Sequence, residues 1–256
     1  ADDSLETAQR QKLDRICRKL GLGPNDHVLE IGTGWGGFAA YAATEYGCRV
    51  TTTTISREQH AYAAARFAAL GEAGRRITLL DRDYRELTGT FDKIVSIEMF
   101  EAVGLAHYDA FFTTIEQRLA PGGAALLQLI TMNEQDFPYY RRNTDWMQTY
   151  IFPGSELASL AEICRSLGRV TGLRPFHLED MGTHYARTLH DWRTRFHHRL
   201  DDVRRLGIDD RFIRMWDLYL AFCEAAFAER HISVAQLVLA PGYHDGRYFT
   251  DAAPAH

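Results

Sequence analysis

A glycine-rich segment, Glu30–Gly37, carries the clearest chemical signal in the sequence. It follows a short apolar run, and glycines at such a point let the backbone turn sharply and approach a ligand closely. The helix predicted to follow would offer free N–H groups and a partial positive charge to an anionic group. Gly32, Gly34 and Gly37 formally satisfy the GxGxxG spacing, so the segment predicts a cofactor site, with a ligand-free turn as the alternative.

Two features favour S-adenosylmethionine over a dinucleotide as that cofactor. Glu30 lies inside the predicted strand, just before the first glycine. The second predicted strand ends in Thr51–Thr54, without the Asp or Glu expected about 20 residues on to hold a ribose. The strand, the glycine loop and the missing acid together predict an S-adenosylmethionine site rather than an NAD site.

Strands and helices alternate along the first half of the chain, and the glycine segment forms the first strand-to-helix turn. This alternation predicts an α/β domain with a doubly wound, mostly parallel sheet. The predicted strands are His27–Ile31, Cys48–Thr54, Ile77–Leu80, Lys93–Ile97, Ala124–Ile130 and Ser233–Leu239. The predicted helices are Asp3–Leu20, Phe38–Tyr46, Arg57–Leu70, His107–Leu119, Ala186–Leu206 and Asp210–Glu229.

The stretch Thr131–Ser155 breaks this alternation. It is long, irregular and rich in aromatic residues, and a loop of this length inside a compact domain is usually functional. The tail 241–256 contains Gly, Pro and His and is expected to be peripheral. We therefore predict one domain over 1–240, in which 131–230 contains an insertion and additional helices.

Composition and charge exclude several classes of protein. With 256 residues, 46% of them hydrophobic, the chain can bury the core of one large domain. A net charge of −5 argues against general nucleic-acid binding, and no apolar run approaches the roughly 18 residues that span a bilayer. The four cysteines are scattered without metal-binding spacing, and the first residues show no secretory pattern. Both features are typical of reduced thiols in a cytoplasmic protein.

Motifs spread over almost the whole chain give a more specific signal. They are Val28–Gly37, Thr54–Gln59, Asp83–Arg85, Phe91–Gly104, Tyr150–Gly154 and His184–Leu189 with Trp192. In this combination the sequence resembles the cyclopropane-fatty-acid synthases and the related mycolic acid cyclopropane synthases. The resemblance implies a seven-stranded Rossmann-like methyltransferase sheet, with a helical and aromatic insertion that covers the active site and binds lipid.

The resemblance also implies which residues bind S-adenosylmethionine. The glycine loop would hold its methionine end, residues after the second strand its nucleoside, and residues after the third strand its adenine. Thr54 has an ordinary strand residue as its alternative interpretation, and Tyr84 a packed aromatic. The implied cofactor residues are Glu30, Gly32, Gly34, Trp35, Gly36, Thr54, Ser56, Gln59, Asp83 and Tyr84.

The methyl acceptor implied by the resemblance is the double bond of an unsaturated acyl chain. Attack by an alkene on the sulfonium methyl leaves a carbocation, which must be shielded from water and stabilised electrostatically. A base must then take a proton, either from the added methyl to close a cyclopropane ring or from a neighbouring carbon to leave a methylene. In the resembling family a bound bicarbonate is that base.

Four positions match residues that hold the bicarbonate in that family. Glu101 and Tyr185 match a Glu and a Tyr of the family, and Ile130 matches a backbone ligand. Without the resemblance, Glu101 would be interpreted as a surface carboxylate and Tyr185 as a core phenol. The family's His falls on Gln128, whose amide can donate a hydrogen bond but cannot carry charge or shuttle a proton. The family's Cys lies in an N-terminal segment and the chain begins after it, so we expect this chain alone to be poorly active.

The substrate side is defined less sharply. Aromatic residues of Phe137–Phe152 and of the C-terminal helices could line an acyl tunnel, and helix packing is the alternative explanation for most of them. Arg141, Arg142 and a basic cluster over 193–199 could meet an anionic head group at a membrane surface, or form solvated helix faces. The resemblance implies peripheral contact with the inner face of the membrane and a possible homodimer.

The leading hypothesis is an S-adenosylmethionine-dependent C-methyltransferase that forms a cyclopropane on an unsaturated phospholipid acyl chain. A methylene- or methyl-branched product is the close alternative, which Gln128 keeps open. A small-molecule N- or O-methyltransferase would need a polar pocket and no aromatic insertion. A non-catalytic lipid- or cofactor-binding relative and an NAD oxidoreductase are the remaining alternatives.

Overall fold

The computed structural model describes residues 3–244, and seven strands in this range form one sheet. The strands are β1 His27–Ile31, β2 Arg49–Thr54, β3 Ile77–Asp81, β4 Phe91–Ile97, β5 Leu119–Met132, β6 Leu173–Asp180 and β7 Ile232–Pro241. Their order across the sheet is β3-β2-β1-β4-β5-β7-β6. Strands β1 to β5 pair in parallel, whereas β7 runs antiparallel between β5 and β6. The predicted α/β fold with a mostly parallel seven-stranded sheet is confirmed.

Helices connect the strands and cover both faces of the sheet. They are α1 Leu5–Leu20, α2 Gly37–Tyr41, α3 Arg57–Ala68, α4 Tyr108–Arg118, α5 Phe137–Tyr140, α6 Trp146–Tyr150, α7 Leu160–Val170, α8 Gly182–His198, α9 Leu200–Arg205 and α10 Asp210–Ala228. A π-helical turn, Ala42–Tyr46, continues α2 to the end of the predicted helix. Helix α1 is capped at both ends: the Ser4 side chain accepts from the Thr7 backbone N–H, and Gly21 ends α1 with φ 60°.

Three parts of the secondary structure differ from the prediction. Strand β6 and helix α7 were not predicted. Strand β6 lies at the edge of the sheet, and its exposed charged residues and proline conceal its periodicity. The helix predicted over Ala186–Leu206 begins earlier, at Gly182, and is interrupted before Leu200. The aromatic stretch Thr131–Ser155, predicted to be irregular, contains α5 and α6. Residues 245–256 of the predicted tail lie outside the described residues.

The sheet separates two apolar layers, because successive residues of a strand point to opposite faces. Val28 packs into the layer beneath α1, α2 and α3, and Leu29 packs into the layer beneath α4 and α7. A third apolar cluster joins the insertion to the C-terminal helices, with Phe137, Leu220 and Phe227 among its buried residues. The insertion is thereby fixed over the carboxyl ends of the central strands. Among residues 3–244, no helix is long and apolar enough to cross a membrane.

Candidate active site

The glycine loop after β1 is shaped by two close packing contacts and one open position. A Cβ atom on Gly32 would lie 2.9 Å from Met99 Cγ, and one on Gly36 would lie 2.8 Å from Phe67 Cε1, and both glycines have a positive φ. Gly34 also has a positive φ, but no atom lies within 4 Å of the place where its Cβ would be. The loop therefore needs glycine at two positions for packing, and at the third it leaves room for a ligand.

Glu30 lies at the base of this loop as a buried carboxyl. Its side chain is 2% exposed, and Thr52 Oγ1 donates to its Oε2 over 2.6 Å. The Thr33 hydroxyl lies 2.7 Å from the same Thr52 oxygen. Burial raises the pKa of Glu30 to about 8, and the hydrogen bond from Thr52 lowers this pKa by a smaller amount. A cationic group placed beside Glu30 would favour its ionised form.

A cavity of about 650 Å³ lies between the glycine loop and α1. Its volume falls within the range of small-molecule sites, and Leu5, Gln9 and Lys12 of α1 form the opposite wall. The predicted cofactor residues that line it are Glu30, Gly32 and Gly34. The predicted cofactor residues that do not line it are Trp35, Gly36, Thr54, Ser56, Gln59, Asp83 and Tyr84.

The predicted nucleoside residues are brought together at the carboxyl end of β2. Thr54 Oγ1 donates to Gln59 Oε1 over 2.8 Å, and the Ser56 backbone N–H donates to Thr54 Oγ1 over 3.1 Å. The Ser56 hydroxyl caps α3 by accepting from the Gln59 N–H. Trp35, which is 55% exposed, packs edge-on against Tyr62. These contacts fix the orientation of the side chains, and their contact with a nucleoside stays a prediction.

Asp83 and Tyr84 follow β3, at the same edge of the sheet. Asp83 accepts hydrogen bonds from the Arg85 backbone and guanidinium, which hold the pKa of Asp83 below its usual range. The Tyr84 ring packs edge-on against Phe111, with 5.4 Å between ring centroids. Each residue therefore has a local structural partner, and its predicted place beside an adenine stays a prediction.

Glu101 lies on a 3₁₀ turn, Phe100–Ala102, just beyond β4. Its Oε1 accepts from the Ile130 backbone N–H over 2.5 Å, so two of the predicted catalytic positions are in contact. Its Oε2 is buried and has no hydrogen-bond partner among residues 3–244. Burial raises the pKa of Glu101 to about 7, and the charge of Glu98 adds to this shift. Such a carboxyl is suited to exchange a proton near neutral pH.

Gln128 and Tyr185 do not bond to Glu101 but to Glu98, which was not among the predicted site residues. Gln128 Nε2 donates to Glu98 Oε1 over 2.6 Å, and the Tyr185 hydroxyl donates to Glu98 Oε2. Burial and the charge of Glu98 raise the pKa of Tyr185 well above its usual value. Glu98 is the first residue after a central parallel strand, and this position at a carboxyl strand end was the available signal.

A chain of buried hydrogen bonds fixes the orientation of the Gln128 amide. Gln236 Nε2 donates to Gln128 Oε1 over 3.1 Å, and Lys19 Nζ donates to Gln236 Oε1 over 2.7 Å. Lys19 also pairs with Glu179. Lys19 donates to the Gln236 oxygen, and Gln236 donates to the Gln128 oxygen. The Gln128 amide nitrogen is therefore left to donate to Glu98. The pairing of β5 with β7, which places Gln128 opposite Gln236, could not be deduced from sequence spacing.

Gln128 and Tyr185 also line a second cavity, of about 760 Å³, between α1 and α8. Leu5, Gln9 and Lys12 line both cavities, so the two spaces meet at one face of α1. The glycine loop and the two residues that hold Glu98, Gln128 and Tyr185, thus open towards the same helix. This arrangement can hold one ligand at the glycine loop and a second beside Gln128 and Tyr185.

Comparison with known proteins is consistent with this geometry. Residues 1–237 match the model of the mycolic acid cyclopropane synthetase family. The chain belongs to this family. It is 42% identical over 235 residues to the tuberculostearic acid methyltransferase UfaA1 of Mycobacterium tuberculosis, covering 92% of this chain and 55% of that protein. It is 38% identical over 245 residues to the cyclopropane-fatty-acyl-phospholipid synthase of Escherichia coli, covering 95% of this chain and 61% of that protein.

Solved structures support the same assignment. The mycolic acid cyclopropane synthase CmaA1, complexed with SAH and CTAB, has a TM-score of 0.85 at 27% identity, over 93% of this chain and 86% of that chain. A coclaurine N-methyltransferase, at 21% identity and a TM-score of 0.74, shows a shared fold alone. The predicted family and the methyltransferase fold of S-adenosylmethionine-dependent enzymes are therefore confirmed. The chain spans less than two thirds of the length of the two curated relatives named above.

Proposed function

We propose that the protein transfers the methyl group of S-adenosylmethionine to a double bond in the acyl chain of an unsaturated phospholipid. The observation that carries this proposal is the pair of acids beyond β4. Glu98 is held by Gln128 and Tyr185, and Glu101 keeps one buried oxygen without a donor. An alkene acceptor needs a proton acceptor sheltered from water, and both acids are at least partly buried.

S-adenosylmethionine supplies an electrophilic methyl group when it is bound. We propose that the glycine loop and Glu30 hold it in the cavity beneath α1, since open space lies beside Gly34. A cation near Glu30 would reverse the raised pKa of this buried carboxyl, so a positively charged ligand fits the site. Gln59 and Tyr84, at the ends of the neighbouring strands, would extend the site towards the nucleoside.

Aromatic rings surround the Tyr185 side chain and can stabilise a developing carbocation. The Tyr185 ring packs against Phe227 with 4.8 Å between centroids, and edge-on against Trp192 at 6.1 Å. The faces of such rings attract cations, and the effect grows when water is excluded. This aromatic layer supports an apolar acceptor over a small polar amine or alcohol.

The insertion and α10 form an exposed aromatic surface on the proposed acyl side. Trp146 packs edge-on against Phe222, and Phe152 packs edge-on against Tyr219. Phe152, Phe222 and Leu218 remain 44%, 48% and 56% exposed, which is typical of a contact surface. We propose that this surface, with the exposed Arg141 and Arg142, meets a phospholipid membrane at its periphery.

The second basic cluster, over 193–199, is a weaker candidate for head-group contact than the sequence suggests. Arg193 and His197 both pair with Asp217, and Arg195 pairs with Glu6. These carboxylates of the chain already neutralise much of the positive charge. Head-group contact is therefore proposed for Arg141 and Arg142 rather than for this cluster.

Two products are compatible with this chemistry, and each is favoured by one relative. The E. coli relative is named a cyclopropane-fatty-acyl-phospholipid synthase, and a cyclopropane is the product first predicted. The more similar M. tuberculosis relative is named a tuberculostearic acid methyltransferase, which favours the branched alternative. The Gln128–Glu98 contact, which was not anticipated, is a further reason to test both.

The test is to express the complete open reading frame in a host rich in unsaturated phospholipids and to feed methyl-labelled methionine. Fatty-acid methyl esters are then separated by gas chromatography and analysed by mass spectrometry. We expect labelled acyl chains one carbon heavier, and their fragmentation distinguishes a ring from a methylene or methyl branch. The absence of labelled acyl chains, together with tight S-adenosylmethionine binding, would contradict the proposed acceptor.

A further inference from the structure

Glu98 has a backbone conformation that side chains rarely adopt. Its φ is 50°, and Arg230 is the other non-glycine residue of 3–244 with a positive φ. The Glu98 backbone N–H donates to the Gln128 carbonyl over 2.7 Å, which anchors the turn directly after β4. Strain of this kind persists where the surroundings fix it, and it concentrates at functional sites.

Each oxygen of the Glu98 carboxylate accepts one side-chain hydrogen bond. Gln128, which is 1% exposed, donates to one oxygen, and the Tyr185 hydroxyl donates to the other. The hydrogen bonds from Lys19 through Gln236 direct the Gln128 amide nitrogen towards this carboxylate. A residue in a strained backbone conformation, with two dedicated donors and a supporting network, is built to present one carboxylate in one place.

We propose that the Glu98 carboxylate is the base of the methyl-transfer reaction, in place of a bound bicarbonate. The inference rests on the proposed function. The two donors that the family resemblance assigns to a bicarbonate, at positions 128 and 185, hold Glu98 in this structure. A bicarbonate at these donors would have to displace Glu98 and would then lie beside the Glu98 and Glu101 carboxyls. The residues present therefore do not fit that anion, and the chain supplies its own carboxylate.

The proton transfer balances with Glu98 as acceptor. The π electrons of the alkene form a bond to the sulfonium methyl carbon, the carbon–sulfur bond breaks with its pair on sulfur, and the other alkene carbon becomes a cation. A C–H bond of the added methyl then breaks, and its electron pair closes the ring, or forms a methylene after a hydride shift. The proton passes to a Glu98 oxygen, since each oxygen accepts one hydrogen bond here and has a second lone pair.

The proton can leave Glu98 towards solvent on the side of α1 and α8. Tyr185 and Gln128 both line the second cavity, which also contains His184 and Lys12. Gln128 holds the carboxylate without exchanging protons, because its amide does not titrate. Release into this cavity regenerates the carboxylate for the next turnover.

The experiment compares the wild type with Glu98→Gln, Glu98→Gly and the control Glu72→Gln, all in the complete protein. Glu72 is exposed and pairs only with Arg75, so its amide variant matches the charge change outside the site. Methyl transfer to vesicles of unsaturated phospholipid is measured in buffer purged of carbon dioxide and in buffer with added bicarbonate. S-adenosylmethionine affinity by calorimetry, thermal unfolding and ¹³C NMR of labelled bicarbonate are measured in parallel.

We expect the wild-type rate to be the same in both buffers within twofold, and Glu98→Gln to lose at least about 100-fold in rate, the usual range for a general base. Glu98→Gln should keep its cofactor affinity within threefold and its melting temperature near that of Glu72→Gln. Glu98→Gly should bind labelled bicarbonate and recover activity when it is added. A wild-type rate that depends on bicarbonate, wild-type binding of the labelled anion, or Glu98→Gln above one tenth of the wild-type rate would overturn the inference.

The same measurements separate this inference from the proposed function. If the wild type transfers no methyl group to any unsaturated lipid, the proposed function fails. The ¹³C NMR comparison of wild type with Glu98→Gly still decides whether Glu98 excludes the anion. If Glu98→Gly unfolds, the bicarbonate dependence of the wild type decides the question without a variant.

Discussion

The two halves of the candidate site lie at the same edge of the sheet but are constructed differently. In the cofactor half, beyond β1, β2 and β3, side-chain hydrogen bonds of the predicted cofactor residues join positions at most 22 residues apart, as in the bonds from Thr54 to Gln59 and from Thr52 to Glu30. In the catalytic half, beyond β4 and β5, Tyr185 reaches Glu98 over 87 residues, and Lys19 reaches Gln236 over 217. Turns and hydrogen bonds between neighbouring elements therefore orient the cofactor half, and contacts between residues far apart in sequence orient the catalytic half.

This difference predicts how each half responds to change. The cofactor half depends on glycine conformation and on one buried carboxyl, so substitutions there should alter stability and ligand affinity together. The catalytic half depends on a polar network in which each member orients the next, so substitutions there should lower the rate while the cofactor remains bound.

The largest effect is expected at Glu30 and concerns the pH dependence of stability. The folded chain holds the Glu30 proton up to about pH 8, whereas the unfolded chain releases it near its usual value of 4.5. The free energy of unfolding of the ligand-free protein should therefore fall as the pH rises between these values, by up to about 5 kcal/mol at 1.36 kcal/mol per pH unit. Glu30→Gln should remove most of this dependence, as measured by urea unfolding from pH 5 to pH 8.

Saturating S-adenosylmethionine provides the internal control for that prediction. A positively charged ligand beside Glu30 favours the carboxylate, so the bound wild type should lose much less stability as the pH rises. Glu30→Gln should bind the cofactor at least tenfold more weakly. Equal pH dependence in the wild type and the variant would show that Glu30 is not the group that titrates.

The next effect is expected at Glu101 and concerns rate. Glu101→Gln keeps an oxygen to accept from the Ile130 N–H but removes the proton-exchanging oxygen, so we expect a loss of about 100-fold in methyl transfer. In the wild type, with the pKa of Glu101 raised to about 7, the rate should change between pH 6 and pH 8. In Glu101→Gln this change should be absent. A variant with the wild-type pH–rate profile would assign the titration to another group.

The glycine loop allows a sharper comparison within the cofactor half. Gly36→Ala would bring a Cβ to within 2.8 Å of the Phe67 ring at a positive φ, so we expect a loss of about 1–3 kcal/mol in unfolding free energy. Gly34→Ala meets open space and should cost less, about 1 kcal/mol from its φ alone. Its main effect should be weaker cofactor binding. Urea unfolding and calorimetry on both variants test this, and equal affinities would remove Gly34 from the ligand contact.

The same difference between the halves explains what could be predicted from the sequence. The alternation of apolar runs with helices was sufficient to predict six of the seven strands, and Glu30 with its glycines was sufficient to predict the turn after β1, because these signals are local. Strand β6 was concealed by its exposed edge, where charged residues and Pro175 replace the apolar pattern. Glu98 lies within the motif Phe91–Gly104 but gave no periodic signal, and only the tertiary structure shows that its partners are Gln128 and Tyr185.

The resemblance to a known family had the same limit. It singled out Glu101, Ile130, Gln128 and Tyr185; in the structure the first two contact each other, the last two contact Glu98, and their catalytic roles stay predictions. It could not show that two of these positions bind a carboxylate of the chain itself. The consequence of having Gln128 in place of the family's His can be interpreted only when its contact with Glu98 is known.

The smallest effect is expected at Lys19, far from any reacting atom. Lys19→Met keeps a long buried chain but removes the donor to Gln236, so the Gln236 amide, and with it the Gln128 amide, is free to turn. In the turned orientation Gln128 presents an oxygen to Glu98, which the carboxylate repels. We expect about a tenfold lower rate with unchanged cofactor affinity, measured by lipid methylation and calorimetry.

Arg18→Met is the matched control, because Arg18 lies next to Lys19 on α1 but is exposed and pairs with Asp14 at the surface. Its rate should stay within twofold of the wild type, since surface pairs contribute little. A loss in Lys19→Met that appears in thermal stability but not in rate would show that the buried network only supports the fold. A loss in rate alone would show that the orientation of one amide is transmitted from helix α1 to the carboxylate that takes the proton.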